Sequence, residues 1–295
     1  MPASDAMLDH QAAGLAALRM RRPVQVIAVT SGKGGVGKTS TSVNLAVSMA
    51  MDGRRVMLLD GDLGLANIDV MLGLQPQRNL SHVLDGSCAL EDTIITGPAG
   101  VMVVPASSGK RNMAELSAAE HAGLVRAFSE LRRPLDTLIV DTAAGIADSV
   151  ITFSQASQEI IVVVTNDPQS LTDAYALIKV LSRDHGVRRF RVLSNMTHTP
   201  AEAREIHDNL RRVSERFLDV TLTDIGTIPN DDWLRRAVRR QRAVVDAYPS
   251  APSASAYRAL AHRVAGWATP SGSRGNLEFF VERLIGGALS TGAAA

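Results

Sequence analysis

The chain has 295 residues, with 31 Lys+Arg against 30 Asp+Glu for a formal charge of +1, 45% hydrophobic and 4% aromatic residues, and one cysteine. At about 150 residues per domain this is one or two domains with enough chain for a core, and the balanced charge disfavours blanket nucleic-acid binding. A single thiol, Cys88, excludes an internal disulfide, a CxxC zinc site and a four-cysteine iron-sulfur cluster, and points to a reducing compartment; no apolar run approaches the ~18 to 20 residues of a membrane span.

Residues 1–23 read as a mobile arm holding one short Ala-rich helix. Its basic residues follow the apolar stretch of MPASDAMLDHQAAGLAALRMRR, the reverse of a secretory signal. Residues 24–268 alternate short β-branched runs with longer helical stretches. Strands are expected at 24–30, 55–60, 101–106, 136–141, 159–165, 189–195 and 222–229. Runs such as IIVVV are apolar without alternation, as a strand covered on both faces requires. Helices over Ser170 to Asp184 and Pro200 to Leu218 are long enough for crossovers. The expected fold is therefore α/β, a doubly wound and mostly parallel sheet of about seven or eight strands flanked by helices. Met51, Met57, Met71 and Met102 fall in apolar stretches and read as core filler. Residues 269–276, TPSGSRGN, read as a linker, and 277–295 as an amphipathic helix with a frayed tail.

Directly after the first strand come Ser31, Gly32, Lys33, Gly34, Gly35, Val36, Gly37, Lys38, Thr39 and Ser40, followed by a helical pattern. This is G-x-x-x-x-G-K-[ST] in its strand-loop-helix context. Its glycines let backbone N–H groups converge on phosphate oxygens, and the helix N-terminus adds partial positive charge. Lys38 offsets the β and γ charge, and the Thr39 hydroxyl can ligate Mg²⁺. Lys33 is an extra lysine that cannot easily reach the phosphates Lys38 already holds. The loop resembles the deviant phosphate loop of the MinD/ParA superfamily. That resemblance implies ATP/ADP with Mg²⁺ as cofactors, and gives Lys33 a role in trans within an ATP-sandwich homodimer.

Carboxylates just past the end of a parallel strand sit in the crevice where such sheets bind ligands. The second strand ends in Asp60-Gly61-Asp62 and continues to Asn67. The pattern is similar to the first switch of MinD-like ATPases, DxDxGxxN, which implies that Asp62 activates the attacking water and Asp60 belongs to the Mg²⁺ shell. Leu138-Ile139-Val140-Asp141 forms a Walker-B-like strand end whose carboxylate holds Mg²⁺ through water. In the family pattern DTAAG, Asp141 takes that role and the Gly145 N–H senses the γ-phosphate. Asn195 ends the strand RVLSN, and Ile228-Pro229-Asn230-Asp231 follows the next strand. An asparagine can pair with both a donor and an acceptor edge of adenine. Asn195, Pro229 and Asp231 match the positions that MinD-like proteins use for the base.

On a helix, LEFFVERLIGGAL places Leu277, Phe280, Val281, Leu284, Ile285 and Ala288 on one stripe, which suits an interfacial membrane anchor. One such tail binds marginally, and two on an ATP-bound dimer gain avidity. At the other end, His10 to Leu15 resembles the activator motif DQAxxLR of the FleN/FlhG flagellar-number branch, with His10 in place of Asp and Ala16 in place of Arg. Arg235, Arg236, Arg239, Arg240 and Arg242 read as a solvated helix face, and no direct DNA binding is expected. The resemblance to that branch implies a slow ATPase switch at the inner face of the cell membrane near the pole. Its partners there are a flagellar transcription activator, which it antagonises, and the polar flagellar GTPase. A ParA-like partition ATPase and a MinD-like division-site regulator are the alternatives; the single cysteine sets aside nitrogenase-type iron proteins.

Overall fold

A computed structural model describes residues 23–62, 67–106, 123, 126–131, 133–268 and 281. Eight strands, β1 (Gln25–Ser31), β2 (Val56–Gly61), β3 (Ile95–Thr96), β4 (Met102–Val104), β5 (Thr137–Ala144), β6 (Glu159–Val164), β7 (Arg189–Thr197) and β8 (Thr221–Pro229), pair into one sheet. Their order is β3-β4-β2-β5-β1-β6-β7-β8. Every pair is parallel except β3 with β4.

The apolar runs behave as their patterns require. All seven residues of β1 are buried, with Ile27 and Val29 in one core cluster and Val26 in the other. Period-two alternation thus feeds two cores because helices cover both faces of the sheet. On one face β1 packs against α1 (Lys38–Met51), whose Val43, Leu45 and Val47 share a cluster with Tyr257 and Leu260 of α9 (Pro252–Ala265). The other face is covered by α4 (Asp148–Ala156), and beyond it α5 (Pro168–Arg183) and α6 (Pro200–Phe217) complete a third cluster with β6 and β7. Shorter helices α2 (Ile68–Leu72), α3 (Leu80–Leu84), α7 (Asp232–Arg239) and α8 (Val244–Ala247) fill the connections. The chain leaves β1 toward β2 on one side and later places β6 on the other, so the topological switch point lies at the end of β1.

The differences from the sequence reading are local. The run at 101–106 forms only the three-residue β4, and the two-residue β3, too short to leave a pattern, closes the edge antiparallel to it. β5 continues to Ala144 because its end pairs with Ser31. The crossover helix begins at Pro168 rather than Ser170, since Asp167 caps it and proline fits the first turn. Met57 and Met102 are buried, but Met51 is a correction: it closes the last turn of α1 and is 51% exposed.

The opposite ends of β2 and β5 are clamped by Arg55 and Asp136. The Arg55 backbone N–H and Nε each donate to Asp136 Oδ2 at 2.9 Å, Nη2 donates to Oδ1, and the Asp136 N–H returns a bond to the Arg55 carbonyl at 2.9 Å. These bonds, led by that from the Arg55 side chain, hold the Asp136 carboxyl below its ordinary range. A lowered native pKa contributes stability above the unfolded-state value of about 3.9 and loses it as pH falls through the native one. With Arg55 partly exposed, Asp136→Asn is expected to cost about 1 kcal/mol at pH 7. The difference from wild type should vanish in acid, measured as urea midpoints across a pH series.

Candidate functional site

The glycine-rich loop is held on three sides. A Cβ on Gly32 would stand 2.0 Å from the backbone carbon of Asp173, so the loop lies directly on α5 and no larger residue fits. Gly37 caps α1 in the left-handed conformation at φ 93° and ψ 27°. Behind it, the Asn195 side chain at the end of β7 donates from Nδ2 to the Val36 carbonyl at 2.7 Å. On the third side the Gly145 N–H donates to the Ser31 carbonyl at 2.9 Å, which ties the second switch to the first residue of the loop. Reaching a γ-phosphate requires that N–H to exchange this partner.

Lys33 is turned back onto its own chain, where its Nζ forms an ion pair with Asp167, the N-cap of α5. That lysine, with a further bond from the Gln169 N–H, draws the Asp167 carboxyl down. Lys38 is half-buried, and desolvation lowers its pKa against the pull of Asp141 and Asp62. Asp60 and Asp141 are register partners on adjoining strands and each is 1% exposed. Burial, with Asp141 beside it, raises Asp60 to about 7, and burial raises Asp141 to about 6 against bonds from Thr39 and Ser42. Ser42 Oγ donates to Asp141 Oδ1 at 2.8 Å.

The donor set fits Mg²⁺. Asp141 and the Thr39 hydroxyl offer hard oxygen ligands beside Lys38, and a divalent cation would supply the positive charge that two buried acids lack. Among the described residues no group of three or more His, Cys, Asp and Glu side chains is placed to hold a metal. This matches an ion completed by nucleotide phosphates and water rather than an all-protein cage. Asp60 already accepts from the backbone, from Asp62 N–H at 3.1 Å on Oδ1 and from Asn67 and Ile68 N–H at 2.9 and 3.2 Å on Oδ2. It therefore folds the first switch from beneath, while Asp62 stands half-buried at the strand end. Leu63 to Ala66, with the Gly64 of the switch pattern, lie outside the described residues.

The expected base contacts divide. Asn195 and Pro229 end neighbouring strands, joined through the register pair Thr197 and Pro229. The Asp231 carboxylate is spent within the chain, taking the Trp233 N–H at 2.9 Å on Oδ1 and the Ser253 N–H and hydroxyl at 3.0 and 2.6 Å on Oδ2. It joins α7 to α9 just after the end of β8. Two residues escaped the sequence reading. Ser42 had a signal, lying one helical turn after Thr39 on the same face; Asp167, before the proline that opens α5, carries no local sign of a lysine partner.

The arginines of α7 and its exit are exposed, with Arg236 stacked 4.8 Å above the Trp233 ring and Arg240 5.8 Å from that of Tyr248. Arg235 pairs with Asp232, and Arg242 with Asp246. Far from the loop, at the starting ends of the strands, Val24, Val83, Cys88, Leu90, Phe128 and Leu135 line a groove. Val281, the one described residue of the segment 277–295, is fully buried in the cluster those apolar side chains form. The N-terminal arm through residue 22 and the rest of the C-terminal segment lie outside the described residues.

A glycine loop at the switch point of a parallel sheet, with a half-buried lysine and buried acids on the next strand ends, is the phosphate grip of the P-loop NTPases. A family profile described as "ParA: NUBPL iron-transfer P-loop NTPase" matches residues 23–265. The protein belongs to the ParA/MinD family of P-loop NTPases. It is 57% identical over 263 residues to the antiactivator FleN of Pseudomonas aeruginosa, covering 89% of this chain and 94% of that one. With the flagellum site-determining protein YlxH of Helicobacter pylori it shares 36% identity over 217 residues, 73% of each chain. The septum site-determining protein MinD of Pyrococcus horikoshii, solved with Mg-ADP, superposes with a TM-score of 0.65 at 26% identity, covering 82% of this chain and 96% of that one.

Removing the half-buried lysine should weaken the site. Lys38→Ala is expected to weaken ATP binding about 10- to 100-fold, the worth of a lost charge-assisted bond of about 1.5–3 kcal/mol. Titration calorimetry at pH 7.5 measures it. With the wild type, Mg²⁺-dependent affinity should fall as pH drops through about 6, where Asp141 takes up a proton that competes with the ion.

Proposed function

We propose that the protein is an ATP-dependent dimerising switch that regulates flagellar number. The observation that carries this reading is its 57% identity to the antiactivator FleN across 89% of the chain. ATP with Mg²⁺ occupies the loop, two copies close on the nucleotides, and slow hydrolysis to ADP and phosphate resets them. Thr39 and Asp141 hold the ion, Lys38 takes the β and γ charge, and Asp62 orients the attacking water. Lys33 leaves Asp167 to reach the nucleotide of the partner copy. That exchange is inexpensive, because an ion pair with side chains 32% and 43% exposed is worth about 0–1 kcal/mol.

The partners in this reading are a flagellar transcription activator, which the protein antagonises, and the polar flagellar GTPase. The amphipathic segment 277–295 attaches the dimer to the inner face of the cell membrane near the pole. Val281 must leave its cluster for that segment to turn its apolar stripe to lipid. No helix among the described residues is long and apolar enough to cross a membrane, so attachment in this reading is peripheral. The iron transfer in the family description is not carried over: the single Cys88 lines the groove at the far end of the sheet from the phosphate loop.

Two variants separate the steps. Lys33→Gln should bind ATP with wild-type affinity yet remain monomeric, and Asp62→Ala should bind ATP and persist as a dimer without turnover, both followed by light scattering on a sizing column. Wild-type turnover by Asp62→Ala would remove it as the water-orienting residue. In cells, a deletion strain should carry extra flagella per cell at normal length and with normal plasmid retention. Altered division or plasmid loss with a normal flagellar count would overturn the flagellar reading in favour of a division or partition role.

A further inference from the structure

We infer that Asn195 is a positioning residue of the phosphate loop, holding its phosphate-facing peptide in place from behind. The inference rests on nucleotide binding by that loop. Asn195 is 1% exposed at the end of β7, and its Nδ2 donates to the Val36 carbonyl at 2.7 Å. In a planar trans peptide the C=O and the following N–H point in opposite directions. Anchoring the Val36 oxygen on Asn195 therefore fixes the Gly37 N–H on the far side, toward the interior of the loop where phosphate oxygens are gathered. The amide lies close against the glycine as well: a Cβ on Gly37 would come within 2.2 Å of Asn195 Nδ2. Gly37 is thus required by its neighbour in addition to its φ of 93°.

The strand is deformed to bring the amide there. The register of β7 on β8 shifts between Asn195 and Thr197, and Met196 sits in the left-handed region at φ 57°, which a non-glycine residue disfavours. Asn195 Oδ1 accepts the Met196 N–H at 2.9 Å, so one side chain stabilises the bulge and grips the loop. Beyond it, Thr197 is fixed to Thr227 by a 2.7 Å hydroxyl contact and its carbonyl takes the Asn230 N–H at 2.8 Å. A bulge beside a ligand site that re-aims a side chain is a built feature of a strand. The Asn195 amide keeps a second N–H and a second lone pair, so a base contact and the loop contact are compatible on one side chain.

The test uses hydrogen exchange of the full, nucleotide-free chain. Loss of this bond, worth about 1 kcal/mol, should speed exchange across residues 36–42 about five-fold in Asn195→Ala while α9 exchanges as in wild type. Asn195→Leu keeps the side-chain size but removes the donor, and should show the same acceleration if the alanine variant folds poorly. Wild-type exchange at 36–42 in the leucine variant overturns the inference. Binding gives the second readout. A loop-positioning role predicts a loss of affinity for inorganic tripolyphosphate as well as for ATP, whereas loss for ATP alone assigns Asn195 to the base and overturns it. A wild type that binds neither ligand refutes the nucleotide reading, and the exchange result then decides the positioning of the loop by itself.

Discussion

Two acids stand side by side in the interior, Asp60 ending β2 and Asp141 opposite it on β5, and the surroundings are arranged to hold them there. Burying a carboxylate without compensation raises its pKa until it protonates, and a second carboxylate alongside adds to the push. The protein answers with two different shells. Asp60 is wrapped by three backbone N–H groups of the loop leading into α2, so its charge organises the first switch. Asp141 receives side-chain hydroxyls from the first turns of α1 and faces Lys38, so its charge is directed at the phosphate loop. One acid shapes the chain and the other faces the ligand. The division follows from their neighbours, since the two strands bring them to the same depth.

The loop itself is a fixed object. Gly32 presses on α5, Val36 hangs from Asn195, and Ser31 takes the Gly145 N–H, so contacts reach it from the ends of β5 and β7 and from a crossover helix. Phosphate binding by backbone N–H groups depends on those groups already pointing inward, because reorganising them at the moment of binding would consume the free energy gained. The loop's own glycines permit that conformation, and its neighbours select it.

Most of the fold and much of the site were legible because their signals are local. The loop is a contiguous stretch between a strand and a helix, and Asp60 and Asp141 each close an apolar run, so Lys38, Thr39 and both acids follow from spacing alone. The pairing of Lys33 with Asp167 spans 134 residues, and that of Asn195 with Val36 spans 159. Those contacts exist only because β6 and β7 follow β1 outward across the sheet, an order that no local pattern states. The bonds of Asp231 are hidden for a related reason. An aspartate after a strand reads equally as a ligand contact or a helix cap, and its link to the distant Ser253 leaves no local signal. β3 was invisible because two residues have no period to read.

The proposed switch can be weighed against these contacts. Passing to a nucleotide-bound dimer exchanges the half-exposed Lys33–Asp167 pair, worth about 0–1 kcal/mol, and the Gly145–Ser31 backbone bond, worth about 0.5–1.5 kcal/mol net. Releasing Val281 from its cluster adds about 1.5–3 kcal/mol. The total is a few kcal/mol. A ligand present at about 1,000 times its dissociation constant, binding one form alone, supplies about 4 kcal/mol. ATP discriminating between the two forms therefore supplies free energy of the same size as these contacts, while ADP does not if the γ-phosphate supplies that discrimination. In the proposed switch the Gly145 N–H would discriminate, because a third phosphate would compete with the Ser31 carbonyl for that one donor. The partner contacts and the buried valine would then follow the state of a single hydrogen bond at the end of β5.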